Sequence, residues 1–231
     1  MIFGKEDKPT SDTRRVSGVD DRAGVDTTTR MVERLMDVGI DGKGRFESAQ
    51  KVAKVANAKH PEPERAIDAM VRAHLLHAAA NGFVTSLGGF VTMPIALPVN
   101  VLGFYLVATR MVAGIASVRG YDIHQPAVRS AILLALVGAD SDDLLRKAGY
   151  TGTGRLANLA VQRLPGPVLL AVNKGVAFRL LNGVGRRSLT RLGKAVPLVG
   201  GIVGAGVDAF MLKRIADHAR QEFPLKARPI S

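Results

Sequence analysis

At 231 residues the chain suffices for one large domain, and its 47% apolar content can fill a sizeable core although aromatics are only 5% and Trp is absent. The lack of cysteine excludes disulfides, thiolate zinc sites and a cysteine nucleophile, and fits a reducing compartment. Residues 1–70 hold 13 basic and 13 acidic side chains, whereas residues 71–231 hold 19 and 7, so the whole net charge of +12 sits in the latter; anionic lipid, nucleic acid or an acidic protein is the natural partner, and a merely solvated face is the plainer reading.

Residues 1–26 are rich in Lys, Asp, Ser, Gly and Thr without apolar periodicity, and read as a disordered polar arm. No apolar run follows a basic start, so a secretory leader is not expected and the chain reads as cytoplasmic. One helical domain is expected over 27–223. Thr27–Thr29 caps a first helix, Met31, Val32, Leu35, Met36 and Val38 form its stripe, and Gly39, Gly42 and Gly44 end it. A second helix spans about 46–59, with Ala49, Val52, Ala53, Val55 and Ala56 on its apolar side. His60-Pro61-Glu62-Pro63 breaks it, because proline lacks the N–H a helix needs.

A third helix is expected over about 63–81. It leads into 32 residues, Ala78 to Thr109, without a Lys, Arg, Asp or Glu. That length prompts a membrane-spanning reading, but Asn81, Asn100 and the prolines Pro94 and Pro98 oppose it. The stretch divides better into a short apolar helix over 83–91, a proline turn and a long helix over 98–118. Phe83, Leu87, Phe90, Met93 and Ile95 of this hairpin then meet either core or membrane interface. Pro126 opens the next helix, with Val128, Ile132, Leu133 and Leu136 buried. Asp140, Ser141, Asp142 and Asp143 form an N-terminal cap cluster that complements a helix dipole.

Helices follow near 153–163, 166–182 and 186–195, and a last long helix runs from after Gly200-Gly201 to about Phe223, leaving 224–231 as a frayed basic tail. From Leu144 to Val207 there is no acidic residue and there are ten basic ones, among them Arg179, Arg186, Arg187, Arg191 and Lys194. Almost nothing alternates with period two. The fold class is therefore all-α: a compact multi-helix domain with a Gly/Pro-interrupted apolar helical hairpin and tight glycine-rich helix packing.

Gly200, Gly201, Gly204 and Gly206 stand at helical spacing, which serves tight intramolecular packing or a groove for another helix or a lipid chain. They are not a phosphate-binding loop, since no strand precedes them and no Gly-Lys-Ser/Thr follows. Lys174 and Asp208 stand in otherwise apolar helices. A lone buried charge is costly, so they are expected to pair with Asn173 completing the hydrogen bonds, to form a polar site for a headgroup, or to lie in solvent. His74 and His77 are three apart, with His60, His124 and His218 at no metal-ligand spacing, so they read as satisfied or exposed histidines and no metal site is expected. No nucleophile elbow occurs. No cofactor is implied.

Two segments, Ala171-Val172-Asn173-Lys174-Gly175-Val176-Ala177-Phe178-Arg179-Leu180-Leu181 and Gly193-Lys194-Ala195-Val196-Pro197-Leu198-Val199-Gly200-Gly201-Ile202-Val203-Gly204-Ala205-Gly206-Val207-Asp208, resemble the C-terminal half of EcsC-type proteins in order and spacing. The apolar hairpin and the Gly120-Tyr121-Asp122 turn resemble that family's middle section, and the likeness covers about 45–223. The resemblance implies a helical bacterial domain, encoded in some members beside ABC-transporter components, with no catalytic residue to carry over. The function expected from the residues is non-catalytic: peripheral association with the cytoplasmic face of a membrane, through anionic lipid or a membrane protein. A soluble scaffold docking acidic proteins is the alternative. Specific nucleic-acid binding is not expected, since Phe178 is the only aromatic residue between Thr151 and Val207 and no stacking platform exists.

Overall fold

The structure, a computed structural model, describes residues 30, 32–44, 46–87, 93–138, 141–147, 166–168, 170–176, 180 and 197–226, with side chains except at 78–87, 93–101, 142, 197–205 and 207. The described residues are helical with turns between, and no strand occurs among them. The expected arm over 1–26 and the expected helices near 153–163 and 186–195 lie outside the described residues.

The first helix, α1 (Leu35–Ile40), is wound as a π-helix and buries Leu35, Gly39 and Ile40. Gly39 therefore does not end it, contrary to expectation. A Cβ added there would stand 2.9 Å from Thr109 Cβ and Cγ2, so the glycine lets α1 lie against a neighbouring backbone. Gly42 and Gly44, with φ of 79° and 64°, make the turn that follows, in the left-handed region that glycine occupies without strain.

Helix α2 (Ala49–Lys59) starts at Ser48, whose Oγ accepts from the Lys51 N–H at 3.2 Å. Replacing Ser48 by Ala should cost about 1 kcal/mol, and Ser48→Asp should cost little. A thermal melt of both variants checks this, with the alanine melting roughly 2–4 °C lower. Ala49, Ala53 and Ala56 bury one small-residue face, while Val55 stays 45% exposed and does not join the apolar side.

Helix α3 (Pro63–Leu87) and helix α4 (Met93–Val118) form the apolar hairpin. It has two long arms rather than a short helix and a proline turn. Phe83–Leu87 continue α3, and α4 begins five residues ahead of Pro98. Pro94 occupies the first turn, where a missing N–H costs nothing. Pro98 forfeits one bond in the second turn, and the helix continues past it. The arms are antiparallel: Arg119 pairs with Glu64 at 2.6 Å, Met70 faces Gly114 and His74 meets Arg110.

Helix α4 is the hub, contacting α1, α2, α3, α5 and the last helix, and its C-terminal half is the more deeply buried part that is described. Met111, Val112, Ala113, Ile115 and Ala116 are fully buried there. Thr109 is buried as well, its hydroxyl donating to the Tyr105 carbonyl at 2.6 Å. Helix α5 (Pro126–Val137) has Pro126 at its start and buries every residue from Ser130 to Leu136. Gly138, at φ 62°, closes it. Helix α6 (Ser141–Lys147) follows, with its first residue, Ser141, buried.

Helix α7 (Pro197–Glu222) begins at Pro197, ahead of the glycine pair expected to precede it. Proline is pre-set for a first helical turn. The helix packs along α3, where Arg220 pairs with Asp68 at 2.6 Å. Beyond it Phe223 is fully buried edge-on to Tyr121, ring centroids 5.3 Å apart. The Lys226 N–H then donates to the Arg119 carbonyl at 3.0 Å, and its ammonium stands 4.4 Å over the Tyr121 ring. No helix, among the described residues, is long and apolar enough to cross a membrane.

Candidate functional site

Beside α1 the chain turns through Gly42 and Gly44 and presents Phe46 on the surface, 45% exposed. Together with Arg34, Val38, Lys43, Gly44 and Leu106 it lines an open groove of about 410 Å³. Its floor is apolar and its two charged lining residues are cations. Behind it, the Arg110 guanidinium lies 5.8 Å from the centre of the Phe46 ring, a cation–π contact worth about 0.5–1 kcal/mol at such a site.

Arg110 also donates through Nε to His74 Nε2 at 3.3 Å. His74 Nδ1–H in turn donates to the Met70 carbonyl at 2.8 Å. Both ring nitrogens are thus engaged in the neutral tautomer, and burial of this side chain pushes its pKa down from 6.5 to about 4. Burial likewise lowers Arg110, with nearby Glu47 opposing the shift. Glu47 lies 2.7 Å from Lys51, which holds its carboxyl below the usual range. His77 is exposed and bonds the Ala73 carbonyl. Neither histidine belongs to a metal cluster: among the described residues no group of three or more His, Cys, Asp or Glu could hold an ion.

Elsewhere on the described surface several charges are paired. Asp41 holds Arg129 and lies 3.6 Å from His124; Lys213 pairs with Asp217 and Lys147 with Asp143. Exposed pairs of this kind contribute little to stability, about 0–1 kcal/mol each. A mixed, paired surface of this sort is consistent with protein interaction.

Asn173 faces the core, where its Oδ1 accepts from the Ser130 hydroxyl at 3.1 Å. Lys174, next to it, is exposed, so the burial penalty that motivated its pairing with Asp208 does not apply to it. Asp208 is half-buried on α7 and has contacts of its own. Among the described residues nothing lies within 4 Å of a Cβ added at Gly206. Gly200, Gly201 and Gly204 lie within α7. Among the described residues the close approaches fall at Gly39 against Thr109, at Gly42 within its own turn, at Gly114 against Met70 and at Gly175 against Leu144.

Of the expected basic surface, Arg179, Arg186, Arg187, Arg191 and Lys194 lie outside the described residues. Of the hairpin positions, Phe83 and Leu87 belong to α3 and Met93 and Ile95 to α4; Phe90 lies outside the described residues. The groove itself escaped the sequence reading. Its only local signal is a lone aromatic after a glycine turn, since Arg34, Lys43 and Leu106 meet only through the packing of α1 on α4.

The EcsC protein family matches residues 24–226, nearly the whole chain and all the helices described. The chain belongs to the EcsC family. No curated protein and no solved structure is detectably similar to it. EcsC proteins are a bacterial family, and membership assigns no catalytic residue to this domain. The match begins within the stretch expected to be a separate arm.

Proposed function

We propose that this EcsC domain associates peripherally with the cytoplasmic face of a membrane, holding anionic lipid or a membrane protein there. The observation that carries the reading is a polarity along the helix axes. The antiparallel register of α3 with α4 and α7 brings together the end of α3 from Ala78, the start of α4 up to Thr109 and the start of α7 up to Val207. Each of these segments is free of Lys, Arg, Asp and Glu. The opposite end carries the Glu64–Arg119, Asp68–Arg220 and Lys213–Asp217 pairs.

Counted in α4 only as far as the buried Tyr105, the uncharged segments reach roughly 15–18 Å at 1.5 Å per residue, short of the ~30 Å hydrocarbon core. That length suits one leaflet or the interface. Basic residues near an anionic surface add about 1 kcal/mol each, and apolar insertion adds to this. Exposed Arg146 and Lys174, on the stretch without acidic residues, supply such charge. An ABC-transporter component is the membrane-protein partner that the family resemblance suggests.

The test is co-sedimentation of the whole chain with vesicles of phosphatidylcholine alone and of phosphatidylcholine mixed with phosphatidylglycerol, at low and high salt. Binding to the anionic vesicles that persists in part at high salt is the expected result. No binding to either composition would overturn the membrane reading and favour a soluble scaffold for acidic proteins, which the basic surface also suits.

A further inference from the structure

We infer that the groove lined by Arg34, Val38, Lys43, Gly44, Phe46 and Leu106 is a binding site for a single anionic phospholipid, its phosphate held by the two cations and its acyl chain lying on the apolar floor. This rests on the membrane reading above and names the site at which that reading becomes specific.

Three observations converge on the groove. Its volume, about 410 Å³, falls within the roughly 300–1,000 Å³ of small-molecule sites. Its charge is one-signed: Arg34 and Lys43 are exposed at the lining, Arg110 stands behind Phe46, and Glu47 is engaged by Lys51. Its position also matches the axial polarity of the bundle. Leu106 belongs to the charge-free part of α4. Asp41, just past α1, holds Arg129 and approaches His124, both beyond the C-terminal end of α4. Helix α1 therefore runs in the same sense as α4, and Arg34, at its start, lies toward the Met93 end. Arg34 stands where the uncharged end of the bundle gives way to the charged one, the level at which a headgroup meets acyl chains, and Lys43 shares the groove with it.

An aromatic wall over an apolar floor with two cations selects an amphiphile over a free anion. Inorganic phosphate would leave Val38, Phe46 and Leu106 uncovered. An acidic peptide could satisfy the cations but is not called for by the uncharged run of α4 that precedes Leu106.

The chain has no tryptophan, so Phe46→Trp places a single fluorescent reporter in the groove. Short-chain phosphatidylglycerol, kept below its micelle concentration, should shift the emission to the blue saturably, and short-chain phosphatidylcholine should need a much higher concentration. Adding Arg34→Gln and Lys43→Gln should weaken the phosphatidylglycerol response at least about tenfold, whereas Lys54→Gln with Lys59→Gln, exposed on α2, should leave it unchanged. Circular dichroism confirms that each variant is folded.

A folded Phe46→Trp protein with no saturable response, or equal loss in both double variants, overturns the site. So does a response to polyglutamate in place of phosphatidylglycerol. If the reporter stays silent while the wild-type chain still sediments with anionic vesicles, the groove fails and the peripheral membrane reading stands. If the reporter responds while vesicle binding is absent, the site holds and the membrane reading fails.

Discussion

Between pH 7 and pH 4 the domain is expected to lose about 3 kcal/mol of stability through His74 alone. This side chain is 4% exposed, and burial depresses its pKa from 6.5 to about 4. Above pH 6.5 the imidazole is neutral in both folded and unfolded chains, and the stabilising neutral-state network is intact. Between 6.5 and 4 the unfolded chain binds a proton that the folded one refuses, so stability falls as pH falls through that window. Below about 4 the folded state is protonated as well, and the difference stops growing.

Protonation would place a second donor at Nε2 against the Arg110 Nε–H, 3.3 Å away, and would set two cations side by side. Urea denaturation at several pH values measures the slope. His74→Gln keeps a donor for the Met70 carbonyl and an acceptor for Arg110, and should flatten the slope even if it lowers stability at pH 7. Carboxylates titrate in the same range, but they do so equally in both proteins. An unchanged slope in the variant would mean that His74 is not the titrating group.

Gly39→Val is expected to destabilise by about 3 kcal/mol and Gly39→Ala by about 1–2 kcal/mol. The added Cβ would stand 2.9 Å from two atoms of Thr109, and 3.4 Å from the Leu106 carbonyl oxygen. Thr109 has little room to yield. It is fully buried, β-branched, and its hydroxyl is held by the Tyr105 carbonyl. Relief of the conformational freedom of glycine offsets about 1 kcal/mol of the alanine cost, which is why the two substitutions should differ.

Chemical denaturation of the single variants and of Gly39→Ala with Thr109→Ser checks the mechanism. Serine removes Cγ2 and keeps the hydroxyl, so the pair should recover part of the loss. Strict additivity would place the strain elsewhere. The tight contacts at Gly114 are with the flexible end of Met70, and alanine there should cost less than at Gly39.

Helix identity was legible wherever the pattern was local. The Pro61–Pro63 break, the Pro126 start of α5 and its buried apolar run follow from the chemistry of proline and from spacing, and they stand where expected. Proline also misled. Pro94 and Pro98 read as a turn, yet both lie in α4, because proline is harmless in a first turn and the tertiary contacts of a long hub helix outweigh one lost bond near its end. Glycine behaved similarly: Gly39 reads as a terminator and is instead a contact point, because the need for a missing side chain arises from a partner helix 70 residues away.

By itself the sequence determined the all-α class, the absence of cysteine chemistry, the +12 charge confined to the later part of the chain and the EcsC membership. These depend on composition, periodicity and short motifs, which act within a turn or two of chain. The tertiary structure alone decided that His74 is neutral against Arg110, that Asn173 bonds Ser130, and that Arg34, Lys43, Phe46 and Leu106 enclose one groove. Burial and juxtaposition set those properties. Both are fixed by how α1 and α3 seat on α4 and how residues 170–176 meet α5, through contacts between residues 36 to about 70 positions apart, for which a local pattern carries no record.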